Sequence, residues 1–240
     1  MFSDHFEVFL ADTEESKEIH YSIRYQVYCE EMGFEDKEKF PLQMEFDEDD
    51  DRSIHFIVRN KMTDQWVGTM RLINKQNGLL PIEQNSSIDE KINTNDLSGA
   101  VEMSRLCLIK DVRREGKDLD PPHGIIESDL TKKTDKLIEM PSQNKLNRLI
   151  MWGIFHAAAE YCNTNKMQYC YFMTTKILGK VLLRGGLNLK PIGEGSEHKG
   201  ERFPFKLDAI ATYHSDIWQG EFNNYQLYSE LDRVQYSSVA

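Results

Sequence analysis

The distribution of apolar and polar positions predicts a sheet of short strands interrupted by amphipathic helices. Apolar runs and alternating stretches predict strands at residues 6–10, 53–59, 66–73, 101–109, 167–173, 187–192 and 203–206. Apolar residues at helical spacing predict helices at about 14–32, 142–163 and 176–183. Antiparallel strands come first and a strand–helix–strand unit follows. This order predicts an α/β fold, with a single mixed, mostly antiparallel central sheet flanked by helices.

One predicted strand, at residues 101–109, is mostly apolar, yet it carries Glu102 and Arg105. Such a run predicts a strand that is buried on both faces, where an unpaired charge costs several kcal/mol. Residues three apart in a regular strand point to opposite faces. The two charges therefore share a face only across a β-bulge, a feature that gathers beside active sites. Two interpretations stay open, a mutual salt bridge and a catalytic or substrate-binding site.

An acidic segment lies between the first helix and the predicted hairpin, at residues 35–51. Runs of carboxylates usually form a solvated, mobile face. A calcium site is an alternative, although the D-x-D-x-D-G spacing and the later glutamate of an EF-hand loop are absent. A third interpretation is a cluster that attracts the ammonium group of a substrate.

The chain is expected to form one domain over residues 1–210, with a flexible insert at about 111–141 and a C-terminal extension at 211–240. The insert is polar and contains Pro121 and Pro122, and residues 74–98 form a second polar loop with one helical turn. The extension is amphipathic and rich in tyrosine.

Composition and charge exclude several classes of protein. A chain of 240 residues buries one sizeable core. Its net charge of −11 is concentrated in the first 51 residues, and no basic stripe with interleaved aromatic residues supports nucleic-acid binding. No apolar stretch approaches the ~20 residues of a membrane span, and no signal peptide is apparent, so we expect a cytoplasmic protein. The four cysteines lack C-x-x-C pairing, which favours reduced core thiols and no metal site.

Common catalytic motifs are absent from the sequence. It contains no G-x-S-x-G, no G-x-x-x-x-G-K-[ST], no G-x-G-x-x-G and no H-E-x-x-H, and no histidine is followed by aspartate at the fifth position. Covalent catalysis therefore has no evident pair of nucleophile and base.

Five short blocks carry a resemblance to a known family. They are Ile23–Tyr28, Gly33–Phe34, Glu45–Asp50, Gly68–Leu72 and Glu102–Leu106. Together they resemble the N-acyl-homoserine-lactone autoinducer synthases, which have the Gcn5-related N-acyltransferase (GNAT) fold. The later segments at residues 182–187, 191–193 and 198–205 resemble instead the PEP-CTERM/exosortase-associated acyltransferases. Those are relatives of the autoinducer synthases and of the long-chain N-acyl amino acid synthases.

The resemblance implies an N-acyltransferase that moves a fatty acyl chain from acyl carrier protein to the amine of a small, amino acid-like acceptor. Amine attack on a thioester requires a base, and the resemblance assigns that role to Glu102, whose pKa partial burial would raise. Asp47 and Asp50 would hold the ammonium group or relay its proton.

The same blocks supply the expected substrate-binding residues. Arg24, Arg71 and Arg105 would orient the acceptor's carboxylate or tie down the acidic loop. Tyr28 and Phe34 match aromatic positions where those synthases usually have Phe and Trp. The resemblance implies that this wall touches the acceptor and the donor, so the two departures bear on the identity of the substrates.

The donor site resembles only part of the acetyl-CoA branch of the fold. Arg113 and Gly116 keep the first half of its pyrophosphate-binding motif, and the next predicted helix begins some 25 residues later. A carrier-protein donor lacks the ADP group, so acyl-phosphopantetheine on acyl carrier protein is favoured over acyl-CoA. No permanently bound cofactor and no metal are expected. Candidate docking charges for the acidic carrier protein are Lys132, Lys133, Lys136, Lys145, Arg148, Arg184 and Lys190.

Two other functions remain open. One is an acyl-CoA- or acetyl-CoA-dependent N-acetyltransferase, and the other is a non-catalytic protein that binds an acyl chain or metabolite on this scaffold. Contact with a membrane surface is expected at most through a lipid-like product.

Overall fold

The structure is a computed structural model. It describes residues 1–75, 78–89, 99–113, 121–125, 142–197 and 199–229, with side chains of the helix that begins at Ser142 described from Asn147 onward. The strands in this part of the chain are β1 (Phe6–Leu10), β2 (Ser53–Asn60), β3 (Gln65–Asn74), β4 (Ala100–Leu108), β5 (Tyr169–Thr174), β6 (Leu189–Pro191), β7 (Ser196–Glu197), β8 (Glu201–Asp208) and β9 (Leu227–Tyr228).

The strands form one open mixed sheet in the order β6-β8-β5-β4-β3-β2-β1-β9, with β7 paired to β8. Strand pairs are antiparallel except β4 with β5 and β1 with β9. The parallel pair β4–β5 is the strand–helix–strand unit that the sequence predicts. The predicted fold class is therefore confirmed.

The helices are α1 (Glu14–Arg24), α2 (Pro81–Asn85), α3 (Ser142–Thr164), α4 (Lys176–Arg184) and α5 (Ala209–Tyr213). Thr13 caps α1, because its side chain accepts a hydrogen bond from the backbone N–H of Ser16. The prediction of one continuous α-helix at 14–32 is wrong in its second half. Tyr25–Glu31 is a π-helix, in which the Met32 N–H donates to the carbonyl of Val27. Apolar spacing over two turns does not separate these helix types, and π-helical turns occur mostly at functional sites.

Helices α1 and α3 cover opposite faces of the sheet. One face packs Phe56, Met70 and Leu72 with residues of α3, whereas the other packs Phe9 and Ile57 with Ile19 of α1. The two faces follow from the alternation of side chains along each strand. The four cysteines are free and buried, as predicted.

Residues after α5 pack against α3 and the first strand. Trp218 and Phe222 are buried beside His156 of α3, with ring centroids 4.7 and 5.6 Å from its imidazole. Strand β9 then pairs with β1 at the edge of the sheet. The predicted extension, as far as residue 229, thus contributes to the same core and the same sheet.

None of the described helices is both long enough and apolar enough to span a membrane. Residues 114–120 and 126–141, which hold most of the predicted insert, lie outside the described residues.

The close approach of α3 to the N-terminal turn gives a test of the packing. A Cβ atom at Gly153 would lie 2.2 Å from Cε2 of Phe2, whose ring is buried. Overpacking costs about 1–3 kcal/mol, and alanine's better helix propensity returns up to about 1 kcal/mol. We expect Gly153→Ala to lower the free energy of unfolding by about 1–2 kcal/mol in urea titrations.

Thr164→Ala is the matched control, because Thr164 is exposed at the end of the same helix. We expect that control to change the free energy of unfolding by less than about 0.5 kcal/mol. A Gly153→Ala variant as stable as the wild type would contradict the packing described.

Candidate active site

Strand β4 contains the bulge that its sequence predicts. Thr69 of β3 lies opposite Cys107, whereas Arg71 lies opposite Ser104, so β4 has one extra residue between these pairs. Arg105 lies within that irregularity and has a φ of 53°. A left-handed φ is uncommon for arginine, and backbone strain of this kind concentrates at functional sites. The predicted bulge is confirmed.

The bulge brings the side chain of Arg105 to the sheet face that Arg71 occupies. Asp47 joins the two arginines, because its Oδ1 lies 2.6 Å from Arg71 Nη1 and its Oδ2 lies 2.9 Å from Arg105 Nη2. Glu102 lies opposite Ile73, two residues beyond Arg71 on β3, and therefore points to the same face. Both charges of β4 thus lie on one side of the sheet.

A buried ion network holds the acidic segment against this face. It joins three carboxylates to three arginines: Glu45, Asp47 and Asp50 with Arg24, Arg71 and Arg105. Arg24 Nε lies 2.5 Å from Glu45 Oε2, and Arg24 Nη1 lies 2.7 Å from Asp50 Oδ1. Glu45 and Asp50 are 1% and 7% exposed. The interpretation of this segment as a solvated face is therefore wrong for these carboxylates, because the arginines pull them into the protein.

The network keeps its carboxylates ionised. Burial by itself would raise the pKa of Asp50, but the hydrogen bond from His55 and the charges of Arg24 and Arg71 outweigh burial and hold the pKa far below its usual range. The same opposition of burial and arginine contacts lowers the pKa values of Glu45 and Asp47. These carboxylates are poor proton acceptors at neutral pH.

Glu102 has the opposite environment. It is 3% exposed, and its Oε2 accepts a hydrogen bond of 2.8 Å from the N–H of Ile82 in α2. Among the described residues no basic side chain forms an ion pair with it. Burial therefore dominates over the Ile82 hydrogen bond and raises the pKa of Glu102 to about 8. The salt bridge between Glu102 and Arg105 considered from the sequence is not formed, because Arg105 pairs with the acidic segment.

A cavity of about 140 Å³ opens where β4 and β5 separate. The two strands pair only from Ala100 to Glu102 and from Tyr169 to Tyr171, although both continue beyond. Met103–Leu106 and Phe172–Thr174 then line the cavity, and Phe155 and Leu178 add apolar walls from α3 and α4. Glu102 immediately precedes the lining segment of β4.

The predicted aromatic positions lie on this cavity. Tyr28 and Phe34 both line it, with ring centroids 6.5 Å apart. The Tyr28 hydroxyl donates to the carbonyl of Leu106 at 3.3 Å, and the guanidinium carbon of Arg105 lies 5.5 Å from the Tyr28 ring centroid. The π-helix thus places one wall of the cavity next to the bulge of β4.

Arg113, the described member of the predicted donor-binding pair, lies outside the cavity lining. Arg113 is buried and forms an ion pair with Glu31 at the end of the π-helix, while its Nη1 lies 2.9 Å from the sulfur of Met32. Gly116 lies outside the described residues.

Several residues of the site were not predicted. Glu45, His55, Phe155, Thr174 and Arg202 belong to the network or to the cavity. Only His55 had a local signal, since it occupies an inward position of an alternating strand. The contacts of the others depend on strand neighbours that the sequence does not reveal.

The ion network predicts a loss of stability in acid. Carboxylates with lowered pKa values stabilise the folded state above their ordinary values of 3.8 and 4.5, and this stability is lost as pH falls. Asp50→Asn leaves Arg24 and Arg71 without that charge, so we expect it to lower the free energy of unfolding at pH 7 by about 3 kcal/mol. The variant should also lose less stability than the wild type between pH of about 4 and 2, because asparagine does not titrate.

Glu48→Gln is the control, since Glu48 is exposed in the same acidic segment. Denaturant titrations at several pH values should show little change for Glu48→Gln. Equal stability of Asp50→Asn and the wild type at pH 7 would show that the network is energetically unimportant.

Comparisons with known proteins agree with this geometry. A family model for the acetyltransferase (GNAT) domain matches residues 23–119, which include the ion network, the π-helix and β4. No curated protein sequence matches the chain.

Solved structures share the overall fold. The CoA-dependent acyl-homoserine lactone synthase BjaI, solved with MTA, matches with a TM-score of 0.64 at 14% identity, covering 98% of this chain and 100% of its own. The AHL synthase LasI matches with a TM-score of 0.55 at 18% identity, covering 90% and 96%. FeeM, an N-acyl amino acid synthase from uncultured soil microbes, matches with a TM-score of 0.51 at 10% identity, covering 85% and 91%. The chain therefore has a GNAT acetyltransferase fold and is structurally similar to AHL synthases and to an N-acyl amino acid synthase.

Proposed function

We propose that this protein is an N-acyltransferase that moves a fatty acyl chain from acyl carrier protein to the amine of a small, amino acid-like acceptor. The observation that carries the proposal is Glu102, a buried carboxylate with a pKa raised to about 8. It lies at the point where β4 and β5 separate around a cavity that has both apolar and basic side chains in its walls. A base with a pKa near the working pH is best suited to accept a proton from an ammonium group.

The cavity suits an acyl thioester. Its walls include Leu106, Phe155, Phe172 and Leu178, which offer an apolar surface to an alkyl chain. Beyond Glu102, the facing edges of β4 and β5 no longer pair with each other, so backbone N–H groups on these edges are available to the donor. In the proposed reaction such groups stabilise the oxyanion that forms on the thioester carbonyl.

The proposed chemistry needs one proton acceptor. Glu102, in its ionised form, removes a proton from the acceptor's ammonium group, directly or through water. The free amine then attacks the thioester carbonyl to form a tetrahedral intermediate. Collapse of this intermediate breaks the carbon–sulfur bond and releases the phosphopantetheine thiolate. The nitrogen loses its second proton to that thiolate, which leaves the free thiol and the N-acyl amide, and protonated Glu102 returns its proton to solvent.

Asp47 and Asp50 have different proposed roles because their exposure differs. The Asp47 side chain is 28% exposed, so an oxygen remains accessible to the ammonium group of an acceptor. The Asp50 side chain is 4% exposed and engaged by Arg24, Arg71 and His55. We assign Asp50 the role of a positioning residue that fixes the network.

The arrangement of Arg113 favours a carrier-protein donor. Its pairing with Glu31 keeps the guanidinium away from the role of a pyrophosphate ligand that acetyl-CoA would require. Arg184 and Lys190 are exposed and supply positive charge for an acidic carrier protein. We also propose that the protein is related to the PEP-CTERM/exosortase-associated acyltransferases, on the basis of the sequence resemblance described above.

Replacement of Glu102 tests the proposed base. We expect Glu102→Gln to lower kcat by about 100-fold or more while the circular dichroism spectrum stays that of the wild type. In the wild type, kcat/KM should rise with pH and level off above about 8, because ionised Glu102 is the active form. Release of the free thiol from acyl carrier protein is the measurement.

Glu160→Gln is the matched control. Burial also raises the pKa of Glu160, but this residue lies on α3, away from the lining of the cavity. We expect its activity and pH profile to match the wild type. Near-normal activity of Glu102→Gln would contradict the assignment of Glu102 as the base. Parallel assays with long-chain acyl-CoA and acetyl-CoA identify the donor. Stoichiometric acyl-chain binding without thioester cleavage would indicate a binding protein rather than an enzyme.

A further inference from the structure

The arginines expected to bind an acceptor carboxylate are already neutralised. Arg24 and Arg71 are 0% and 2% exposed, and Arg105 pairs with Glu45 and Asp47. Three guanidinium groups face three ionised carboxylates, so the network has no excess positive charge. An acceptor with a carboxylate requires a different cation.

Two further basic side chains line the cavity, and they differ in their partners. Lys199 forms an ion pair with Glu35. Arg202 has no carboxylate within salt-bridge distance among the residues that the structure describes. Its Nη1 donates a hydrogen bond of 3.2 Å to the carbonyl of Glu201. The guanidinium of Arg202 is half-buried, and burial lowers its pKa although electrostatic interactions with Tyr28 and Glu197 oppose that shift.

The register of the sheet puts Arg202 on the face that carries Glu102. Glu102 lies beside Tyr171 of β5, and Tyr171 lies beside Lys206 of β8, so these three side chains share a face. Arg202 lies four residues before Lys206 on β8, two full side-chain periods away, and has the same orientation. The separation along the strand is ~13 Å. Arg202 therefore lies over the open part of the cleft, towards the end of β5.

The local backbone gives Arg202 its position. Gly200 has a φ of 93°, and a Cβ atom there would lie 3.2 Å from Arg202 Nη1. The turn before β8 therefore brings bare backbone close to the guanidinium. Tyr28 and His123 line the same cavity, so the half-buried guanidinium of Arg202 lies at a cavity wall.

We propose that Arg202 binds the carboxylate of the acceptor and is the specificity-determining residue that selects amines bearing a carboxylate. This inference rests on the proposed function. It assigns recognition of the acceptor's carboxylate to Arg202 of β8 rather than to the arginines of the ion network. Arginine and carboxylate form charge-assisted, often bidentate hydrogen bonds, which fix the orientation of the acceptor as well as its affinity. The amine of such an acceptor then points towards Glu102 along the same face of the sheet.

A comparison of paired acceptors tests the inference. The wild type, Arg202→Gln and Arg202→Lys are assayed with a panel of amino acids and with the matching amines that lack the carboxylate. Each assay uses decanoyl-CoA and, separately, the decanoyl thioester of N-acetylcysteamine, which carries no phosphate. We expect Arg202→Gln to raise the KM of the preferred amino acid about 10- to 100-fold, with kcat changed less, and Arg202→Lys to restore part of the loss. The KM of the matching amine should be the same in wild type and Arg202→Gln.

Lys180→Gln is the control variant, because Lys180 is an exposed basic residue of α4 outside the cavity lining. Its acceptor KM should not change, and circular dichroism spectra verify that all variants fold.

An unchanged amino acid KM in Arg202→Gln would overturn the inference. An effect seen with decanoyl-CoA but not with the phosphate-free donor would also overturn it, since the bound anion would then be the donor phosphate. A wild type that acylates amino acids and their matching amines equally well refutes the role of Arg202 but leaves the proposed function intact. A wild type that acylates no amine from any donor, acyl carrier protein included, refutes both.

Discussion

The pairing of three arginines with three carboxylates is the interaction on which the rest of the site depends. The acidic segment would repel itself and stay in solvent without it, because like charges at this density are unfavourable in a compact chain. Arg24 from α1, Arg71 from β3 and Arg105 from the bulge of β4 converge on Glu45, Asp47 and Asp50. The network thereby joins α1, the central hairpin and β4 at one face of the sheet, and it keeps the π-helix next to the cavity.

A second consequence is the separation of carboxylates into two kinds. The arginines hold the pKa of Asp50 far below its usual range. Glu102, on the same face, has a pKa raised to about 8 because it is buried and forms no ion pair with a basic residue in the described part of the chain. Titratable groups whose surroundings move their pKa values apart are a sign of divided acid–base roles. The ionised members hold the acidic segment in place, and Glu102, which binds a proton near neutral pH, is the proposed base. The arginines of the network are already paired with carboxylates. Arg202, which also lines the cavity, forms no salt bridge with a carboxylate among the described residues.

The elements that could be predicted from the sequence are those whose signal is local. The hairpin of β2 and β3, the helix α3 and the strand β4 follow from apolar spacing, and the bulge follows from two charges three residues apart in an apolar run. The π-helix after Arg24 could not be predicted, because seven residues do not distinguish its periodicity from that of an α-helix. The partners of Arg105 could not be predicted either, since Glu45 and Asp47 are some 60 residues away along the chain. The position of Arg202 on the cavity could not be predicted for the same reason, since it depends on the register of β8 against β5. Arg113 carries the sequence pattern of a donor-binding residue, but its guanidinium pairs with Glu31.

The ionisation of Glu102, the proposed base, can be measured directly. The side-chain carboxyl carbon of Glu102 can be assigned in ¹³C NMR spectra by comparison of the wild type with Glu102→Gln, and its chemical shift can be followed as a function of pH. We expect a titration midpoint near pH 8, well above the ordinary value of 4.5. A midpoint at or below that ordinary value would contradict it, because Glu102 would then be fully ionised at neutral pH and its burial would not tune it as a base.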